Sequence, residues 1–454
     1  MTDCITLQAP ASKSVSHRML IGAALAAGNS TVSHVLDSKD VERTRALLCA
    51  AGADIQPLNA GAYAVRGMNG CPQGGTREHP LDCDVHESGT TCRILTAVLA
   101  AGRGVFRIHG AGRMHERPIG ALVTVLEGLG AQITYEGTAG CPPLLLTTNG
   151  MTGGTAVMGL DESSQYLSGL LLAAPLMGLT VTLGGSKVVS WPYVGLTLQT
   201  LEDFGVPFRV EQWAEDACPA CAGGEGAHWR PVDWRTLTEA RPGCVRFSVP
   251  RAAYRAGTYT VEGDWSGASY LLAAGAVGRR PVLVRGLRAD SLQGDMAILD
   301  ILQRMGAHIQ WQADGVLVSP APLHGVDVDM GACPDLVPTV AAVAAFAQGP
   351  SRVRNVAHLR LKESDRIAAP AGELRKAGVR VEECADGLVV HGMAGTAQGK
   401  PQAAAGTLFS AHGDHRIAMS LALLELAGVE VRLDTPAVVS KSFPDFWTVW
   451  ENLR

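Results

Sequence analysis

The apolar positions along the chain follow two helical patterns that alternate. Residues 270–277 are apolar or small at every position, which is typical of a helix buried on all sides. In residues 298–305 the apolar side chains instead share one face, as Ile298, Ile301 and Met305 do, which predicts an amphipathic helix. Strand-like stretches follow both kinds of helix. This alternation predicts an α/β fold.

Glycine ends each of the all-apolar helices, a position that suits it because it adopts positive φ without steric strain. The pattern recurs about every 75 residues, at Gly28, Gly102, Gly178, Gly278, Gly349 and Gly428. The amphipathic helices interleave with these and end at Gly52, Gly130, Gly205, Gly306 and Gly378, with a last copy at 444–453. The sequence therefore predicts six repeated units, each with one buried helix, one surface helix and sheet.

Six buried helices are too many for one core of ordinary size, so we expect two lobes of three units each. The predicted N-terminal lobe is 12–257, and the predicted C-terminal lobe is 1–11 plus 258–454. One interval of the repeat is longer than the others by about 25 residues, which indicates an insertion at about 211–245.

The insertion holds a candidate metal site, because Cys218, Cys221, His228 and Cys244 are zinc ligands by residue type. Structural zinc sites usually use two matched pairs of ligands, and this segment has one Cys-x-x-Cys, so a surface loop is the preferred interpretation. We expect no bound metal. The chain also has no GxxxxGK[ST], no HExxH and no GxGxxG between a strand and a helix, so kinase, zinc-protease and dehydrogenase functions lack support.

Composition narrows the class of protein further. The 38 Lys and Arg against 43 Asp and Glu give a net charge of −5, which argues against nucleic-acid binding through bulk positive charge. The 11 cysteines are an odd, scattered set, which favours reduced thiols and a cytoplasmic protein. The composition of residues 13–27 resembles that of a signal peptide, and that of 163–186 resembles a membrane span. Because both segments fit the repeated pattern of buried helices, we interpret them as parts of the core and expect no membrane association.

Polar residues precede every buried helix. Serine, threonine and aspartate at these positions are ordinary N-caps, but four of the six clusters carry arginine, lysine or several hydroxyls beyond what capping needs. If the buried helices of each lobe run parallel, their positive N-terminal ends and these cations meet on one surface, which would bind a multiply anionic small molecule. The clusters are 12–18, 87–93, 163–165, 264–267, 334–335 and 413–416.

Other cations fit the same interpretation. Lys362 and Arg366 are four residues apart, which predicts that they share one face of a helix. Like charges at this spacing repel each other unless an anion lies between them. Arg117 and Lys441 also stand shortly before helix starts that contain proline.

These segments together resemble the enolpyruvyl transferases, and among them the branch that acts on shikimate 3-phosphate. Order and spacing agree along nearly the whole chain except the insertion. The family fold implied is α/β and two-lobed, with βαβαββ-type units, buried parallel helices and inside-out barrel-like lobes around a cleft. The matching segments are 9–18, 36–40, 88–90, 117–120, 163–165, 261–264, 361–366, 413–416 and 441–445.

The resemblance implies transfer of the enolpyruvyl group of phosphoenolpyruvate to the 5-hydroxyl of shikimate 3-phosphate, with release of phosphate. The implied path is addition and elimination through a tetrahedral intermediate, in the shikimate pathway to chorismate and aromatic amino acids. It implies no cofactor, no metal, small-molecule substrates as partners and a monomer. Two phosphates and two carboxylates must be held together, which explains the arginines and lysines.

Matching motif positions assign residues to roles. Asp335 would take the proton of the attacking hydroxyl, Glu363 would handle the proton at the phosphoenolpyruvate methylene carbon, and Lys13 and Lys441 would complete the catalytic set. Shikimate 3-phosphate would contact Lys13, Ser14, Arg18, Ser163, Ser164, Gln165, Ser190, Tyr193, Asp335 and Lys362. Phosphoenolpyruvate would contact Lys13, Gly89, Thr90, Arg117, Gln165, Arg366, Arg416 and Lys441.

Two alternatives were weighed against this function. The sister enzyme acting on UDP-N-acetylglucosamine usually carries a cysteine five residues before the arginine of the Arg-Pro pair, where this chain has Gly112. A non-catalytic anion-binding relative would be expected to have lost Asp335, Glu363 or Lys441, and all three are present. Both alternatives are less favoured.

The chain departs from the common family pattern at several positions: His17, Glu87, Ile94, Trp191, Gly195 and His358. Glu87 is a carboxylate near the phosphoenolpyruvate positions, so it should point away or pair with Arg93. We therefore predict unchanged chemistry with shifted affinity for phosphoenolpyruvate and its competitor glyphosate. Steady-state inhibition by glyphosate measures this, and a constant equal to that of a typical sensitive enzyme would contradict it.

Overall fold

We describe residues 4–213, 229–237 and 240–454 of the chain from a computed structural model. The chain divides into two compact units. The N-terminal unit is Lys13–Val261, and the C-terminal unit combines Met1–Ser12 with Glu262–Arg454. Each unit has its own sheets and its own buried helices, and each is described separately below.

The described residues contain twelve α-helices, numbered in chain order. Helices α1 to α6 lie in the N-terminal unit and are Lys13–Leu25, Lys39–Ala50, Gly89–Ala100, Gly120–Gly128, Gln165–Met177 and Pro192–Asp203. Helices α7 to α12 lie in the C-terminal unit and are Trp265–Val277, Ile298–Arg304, Val337–Ala344, Ala368–Lys376, His415–Ala422 and Phe446–Trp450. Short 3₁₀ helices are Gly112–Glu116, Trp234–Thr236, Gly294–Ala297, Pro334–Leu336, Ala357–Leu361, Leu423–Ala427 and Pro436–Lys441.

The N-terminal unit contains three sheets among its described residues. Strands β2 to β8 are Asn29–Ser33, Asp54–Asn59, Ala62–Arg66, Leu81–Asp84, Arg103–His109, Gln132–Tyr135 and Leu144–Asn149. Strands β9 to β14 are Gly154–Leu160, Leu179–Val188, Arg209–Trp213, Trp229–Pro231, Val245–Val249 and Thr258–Thr260. The strand orders are β14-β2-β4-β3, β5-β6-β8-β7 and β12-β11-β13-β10-β9.

The C-terminal unit has two four-stranded sheets and a two-stranded one among the described residues. Its strands are β1, Ile5–Gln8, and then β15 to β23, which are Val282–Arg285, His308–Gln312, Gly315–Ser319, Asp327–Asp329, Gln348–Arg354, Arg380–Cys384, Gly387–Met393, Leu408–Phe409 and Arg432–Leu433. The strand orders are β1-β15-β17-β16, β18-β19-β21-β20 and β22-β23. In both larger sheets a parallel pair adjoins an antiparallel hairpin.

Helices buried on nearly every residue alternate with helices that bury one face, as the sequence pattern predicts. All residues of α7 except its last, Val277, are buried, whereas α8 buries Ile298, Leu299, Ile301 and Leu302. Small residues let the buried helices approach closely: a Cβ on Gly169 of α5 would lie 3.0 Å from Ala97 of α3. Close helix packing thus accounts for the abundance of glycine and alanine in these segments.

The two segments that imitate targeting sequences are core elements of the N-terminal unit. Helix α1 is almost entirely buried, and the uncharged stretch 163–186 forms α5 and part of β10. Among the described residues no helix has the length and hydropathy needed to cross a membrane.

The described part of the predicted insertion extends a sheet. Strand β12 pairs antiparallel with β11, and the rings of Trp213 and Trp229 meet edge to face at 5.1 Å. Of the candidate zinc ligands, Cys218, Cys221 and His228 lie outside the described residues. Among the residues that are described, no cluster of three or more His, Cys, Asp or Glu is placed to hold a metal ion.

Candidate functional site

Arg18 joins the first turns of three helices in the N-terminal unit. Its guanidinium donates to Thr197 Oγ1 at 2.9 Å, to Ser168 Oγ at 3.1 Å, and to the carbonyl oxygens of Tyr193 and Ser14 at 3.0 and 2.9 Å. Burial lowers the pKa of Arg18 to about 10, so the side chain stays positively charged at neutral pH. All four acceptors are neutral, so no carboxylate of the described residues is bonded to this buried charge, which favours an anion nearby.

A chain of hydrogen bonds links the starts of α1, α2 and α3. His17 Nδ1 lies 2.7 Å from Thr44 Oγ1, which lies 2.8 Å from Thr91 Oγ1, which lies 2.7 Å from Ser88 Oγ. Burial, the main cause, lowers the pKa of His17 to about 3, so its imidazole is neutral. The family departure at His17 is therefore part of the scaffold that fixes these helix starts.

Arg93 positions the first residues of α3 and α5. Its NH1 donates to Gln165 Oε1 at 3.1 Å, and Gln165 Nε2 donates to Thr90 Oγ1 at 2.9 Å. The Nε and NH2 of Arg93 donate to the Pro118 carbonyl oxygen at 3.2 and 2.9 Å, beside Arg117. Three predicted site residues, Thr90, Gln165 and Arg117, are thus brought together by an arginine that belongs to the polar cluster 87–93 but is not itself a predicted ligand.

Arg117 is buried against the start of α3, and its NH1 donates to the Glu87 carbonyl oxygen at 3.3 Å. A Cβ built on Gly89 would lie 2.3 Å from Arg117 NH2 and 2.6 Å from its Cζ. The absence of a side chain at Gly89 therefore makes room for the guanidinium. The carboxylate of Glu87 lies on the side of Gly112, 2.7 Å from where a Cβ there would stand.

Replacing Gly89 with alanine is expected to displace Arg117 and to raise the KM for phosphoenolpyruvate. Loss of one charge-assisted hydrogen bond would raise this KM by roughly ten- to a hundredfold. Steady-state kinetics measure the effect, with Gly128→Ala as the control because a Cβ there meets nothing within 4 Å. An unchanged KM in the Gly89→Ala variant would show that Arg117 does not need this space.

The remaining predicted residues of this unit lie at the starts of α1, α5 and α6. Lys13 begins α1, and its Nζ lies 3.4 Å from Asp40 Oδ2. Ser163 Oγ accepts from the Gln165 backbone N–H at 3.3 Å, and Ser164 is the N-cap of α5. Ser190 is buried with a positive φ of 55° just before α6, which contains Tyr193.

The C-terminal unit contains a dense ion-pair cluster, formed by Asp335, Glu363, Arg366, Asp414, Arg416 and Lys441. Arg366, 2% exposed, is its centre. Arg366 contacts three carboxylates: Asp414 through Nε at 2.7 Å, Asp335 through NH1 at 2.9 Å and Glu363 through NH2 at 3.0 Å.

Asp335 lies between two arginines, since its other oxygen accepts from Arg416 NH2 at 2.7 Å. Burial would raise the pKa of Asp335, but Arg416, Arg366 and Lys362 outweigh it and hold that pKa well below its ordinary value. Lys441 Nζ lies 3.6 Å from Glu363 Oε1. The five sequence-predicted residues of this cluster therefore come together, and the sixth, Lys362, is close enough to lower the pKa of Asp335.

The prediction that Lys362 and Arg366 share a helical face is wrong. The 3₁₀ helix ends at Leu361 and α10 begins at Ala368, so both lie in the connecting turn. Asp365 explains this, because its carboxylate accepts from the backbone N–H groups of the residues that open α10, in the manner of a helix cap. In this turn Arg366 forms ion pairs with three carboxylates of the protein, those of Asp335, Glu363 and Asp414.

Asp414 is a residue whose importance the sequence analysis missed. It stands directly before α11 and accepts from the Arg416 backbone N–H at 2.9 Å, so it is an ordinary N-cap by position. The same carboxylate also accepts from Ser364 Oγ and from Arg366. No local signal could have shown this, because Arg366 is 48 residues away in sequence.

The departure at Trp191 is explained by the insertion. Trp191 Nε1 donates to the Leu237 carbonyl oxygen at 2.8 Å, which links the residue before α6 to the described part of the inserted segment. A Cβ on Gly195 would stand 3.9 Å from the Trp234 ring, an ordinary contact distance, so the described residues do not explain the glycine there. His358 and Ile94 are both buried.

The fold and these cation-rich clusters define an α/β protein built to hold small anions. A family model described as EPSP synthase (3-phosphoshikimate 1-carboxyvinyltransferase) matches residues 5–217 and 247–450. The gap between the matched ranges, 218–246, nearly coincides with the later part of the predicted insertion. The chain belongs to this family, which confirms the predicted family and the predicted enzyme class, a transferase.

Relatives and solved structures agree with this assignment. The chain is 39% identical over 451 residues to the 3-phosphoshikimate 1-carboxyvinyltransferase of Syntrophobacter fumaroxidans, covering 99% of this chain and 96% of the relative. It is also 39% identical over 453 residues to the enzyme of the same name from Thiobacillus denitrificans, with the same coverage. The structure of EPSP synthase from Acinetobacter baumannii matches with a TM-score of 0.74 at 22% identity, covering 100% of this chain and 96% of that one. This match confirms the predicted α/β fold class.

Proposed function

We propose that the clusters of cations described above bind the two substrates of enolpyruvyl transfer and that Asp335 and Glu363 move its protons. The chain transfers the enolpyruvyl group of phosphoenolpyruvate to the 5-hydroxyl of shikimate 3-phosphate and releases phosphate, a step of the shikimate pathway. The observation that carries the assignment of roles is the ion-pair cluster, where Asp335 is held by two buried arginines.

The residues proposed to hold shikimate 3-phosphate are mostly helix-start residues of the N-terminal unit. Arg18 supports this role because its buried charge is bonded only to neutral acceptors. Free backbone N–H groups at helix starts add further donors for a phosphate. The proposed set is Lys13, Ser14, Arg18, Ser163, Ser164, Gln165, Ser190, Tyr193, Asp335 and Lys362.

The residues proposed to hold phosphoenolpyruvate are more strongly cationic, in keeping with its phosphate and carboxylate. Arginine pairs with such groups through two parallel hydrogen bonds, which fixes their orientation. Arg366 and Arg416 support this role because each is buried and already bonded to carboxylates, the same chemical group that the substrate presents. The proposed set is Lys13, Gly89, Thr90, Arg117, Gln165, Arg366, Arg416 and Lys441.

Asp335 is proposed to accept the proton of the 5-hydroxyl of shikimate 3-phosphate while the oxygen of that hydroxyl forms a bond to C2 of phosphoenolpyruvate. A carboxylate held by two arginines is a weak base. When anionic groups of the substrate engage Arg366 and Arg416, their hold on Asp335 weakens and its proton affinity rises. The base is therefore strengthened when the substrate is present. Glu363, between Lys441 and Arg366, is proposed to exchange the proton at the methylene carbon, C3.

One assay tests the proposed function. Purified protein is mixed with phosphoenolpyruvate and shikimate 3-phosphate, and phosphate release is followed, with UDP-N-acetylglucosamine as the alternative acceptor. We expect phosphate release with shikimate 3-phosphate and none with UDP-N-acetylglucosamine. No release, or release only with UDP-N-acetylglucosamine, would overturn the proposal. Monomeric state and cytoplasmic location stay predictions from the sequence.

A further inference from the structure

Another buried carboxyl of the C-terminal unit, that of Asp295, interacts electrostatically with Asp335 and Arg416 of the ion-pair cluster. Asp295 belongs to the 3₁₀ helix Gly294–Ala297, ahead of α8, and is 4% exposed. Its Oδ2 accepts a hydrogen bond from Ser266 Oγ on α7. Its Oδ1 is buried and has no hydrogen-bond partner among the described residues. Burying an ionised carboxylate with one oxygen that accepts no hydrogen bond has a high free-energy cost, so this geometry favours the neutral, protonated form of Asp295.

The charged and titratable groups that face Asp295 come from three directions. Asp264 and Ser266 belong to the start of α7, and Arg416 comes from α11. Cys333 directly precedes the 3₁₀ helix Pro334–Leu336, which contains Asp335. Burial, as the largest cause, followed by the charge of Asp335, raises the pKa of Asp295 to about 7, while Arg416 and the Ser266 hydroxyl oppose this rise. Arg416 is therefore attracted by two carboxyl groups, Asp335 and Asp295.

We propose that Asp295 is a positioning residue for the proposed reaction: while protonated it leaves Arg416 free to bind the anionic substrate, and when ionised it draws Arg416 away. This inference rests on the proposed function, in which Arg416 binds phosphoenolpyruvate. Ionisation of Asp295 would also place a second negative charge beside Asp335, in the region where the negatively charged groups of phosphoenolpyruvate are proposed to bind. Asp295 thus acts through Arg416 and does not itself touch the substrate.

The consequence is a pH dependence that appears in KM rather than in kcat. If only the protonated form of Asp295 permits tight binding, the KM for phosphoenolpyruvate rises about tenfold between pH 6 and pH 8. In Asp295→Asn the amide cannot ionise, so this rise is absent. In Ser266→Ala the hydroxyl that stabilises the ionised form is lost, so the rise shifts to higher pH.

The experiment measures KM and kcat from pH 6 to pH 9 for the wild-type protein, Asp295→Asn, Ser266→Ala and a matched control, Asp300→Asn. Asp300 lies on α8, close in sequence, but is 70% exposed and pairs with Arg304. We expect the control to keep the wild-type rise in KM. A rise that persists unchanged in Asp295→Asn, or no rise in the wild-type protein, would overturn the inference.

A measurement without substrate separates this inference from the proposed function. A carboxyl with a raised pKa in the folded state contributes stability that is lost as pH rises from its ordinary pKa toward the raised one. The melting temperature of ligand-free Asp295→Asn minus that of the wild type should therefore increase between pH 5 and pH 7. Above pH 7 this difference should stay constant. If the wild-type protein shows no turnover, the proposed function is wrong. The melting temperatures still test Asp295 in that case, because a difference between the two proteins that does not change with pH would refute a neutral Asp295.

Discussion

Replacing Asp335 with asparagine is expected to lower kcat by about a hundred- to ten-thousandfold, the usual contribution of a general base. Asparagine keeps the shape of the side chain but cannot accept the hydroxyl proton. The KM for phosphoenolpyruvate should stay the same or fall, because Arg366 and Arg416 lose a competing carboxylate. The fold should survive, since Arg366 keeps its contacts with Asp414 and Glu363. Steady-state kinetics with each substrate varied give both constants.

Asp327→Asn is the matched control for this variant. Asp327 is a surface aspartate that also pairs with an arginine, Arg354, and its side chain is 56% exposed. The same chemical change there should leave kcat and KM unaltered. A kcat for Asp335→Asn within a fewfold of wild type would show that another group accepts the proton. A raised KM for phosphoenolpyruvate with unchanged kcat would instead show that Asp335 helps to bind that substrate and does not accept the proton.

Replacing Arg366 with methionine is expected to lower the free energy of unfolding by about 3–5 kcal/mol, the range found when one partner of a buried ion pair is removed. Three carboxylates lose the cation that they share, and the site that contains them is almost closed to water. Equilibrium unfolding in urea at neutral pH measures the change. Activity should be lost as well, because Arg366 is a proposed ligand of phosphoenolpyruvate.

The pH dependence of this destabilisation tests its cause. Arg366 is one of the cations that hold the pKa of Asp335 down, so without it that pKa rises and Asp335 takes up a proton at higher pH than in the wild type. The difference in unfolding free energy should therefore be smaller at pH 5 than at pH 7.5. Arg354→Met is the control: this arginine is 45% exposed and pairs with two surface aspartates, so its loss should cost less than about 1 kcal/mol. Equal losses for the two variants would contradict a special role for burial.

Much of the local structure could be predicted from the sequence because it depends on short-range pattern. The buried helix α5 ends at Met177, directly before Gly178 as predicted, whereas α9 ends at Ala344, five residues before Gly349, which lies in β19. The last amphipathic segment, predicted at 444–453, contains α12 at Phe446–Trp450. The prediction failed at Lys362 and Arg366, where spacing suggested a helical face. There the capping carboxylate of Asp365 starts the helix later, so a capping interaction overrode the periodicity.

The candidate site was only partly predictable. Motifs marked the residues that carry charge, and the C-terminal ones meet in a single ion-pair cluster. Motifs could not mark Asp295, since its carboxyl acquires significance only beside Ser266, Asp335 and Arg416, which come from other segments of the chain. Arg93 lies inside a recognised motif, yet its bonds to Gln165 and Pro118 depend on how α3 packs.

The sequence by itself determined the alternation of buried and surface helices, the resemblance to one enzyme family, and which side chains bear the chemistry. These properties follow from residue type and spacing, which act over a few turns of chain. The tertiary structure decided which carboxylate faces which arginine, and so it decided that the pKa of Asp335 is lowered while that of Asp295 is raised. Protonation depends on burial and on charges distant in sequence, because the electrostatic energy of a group is set by its neighbours in space.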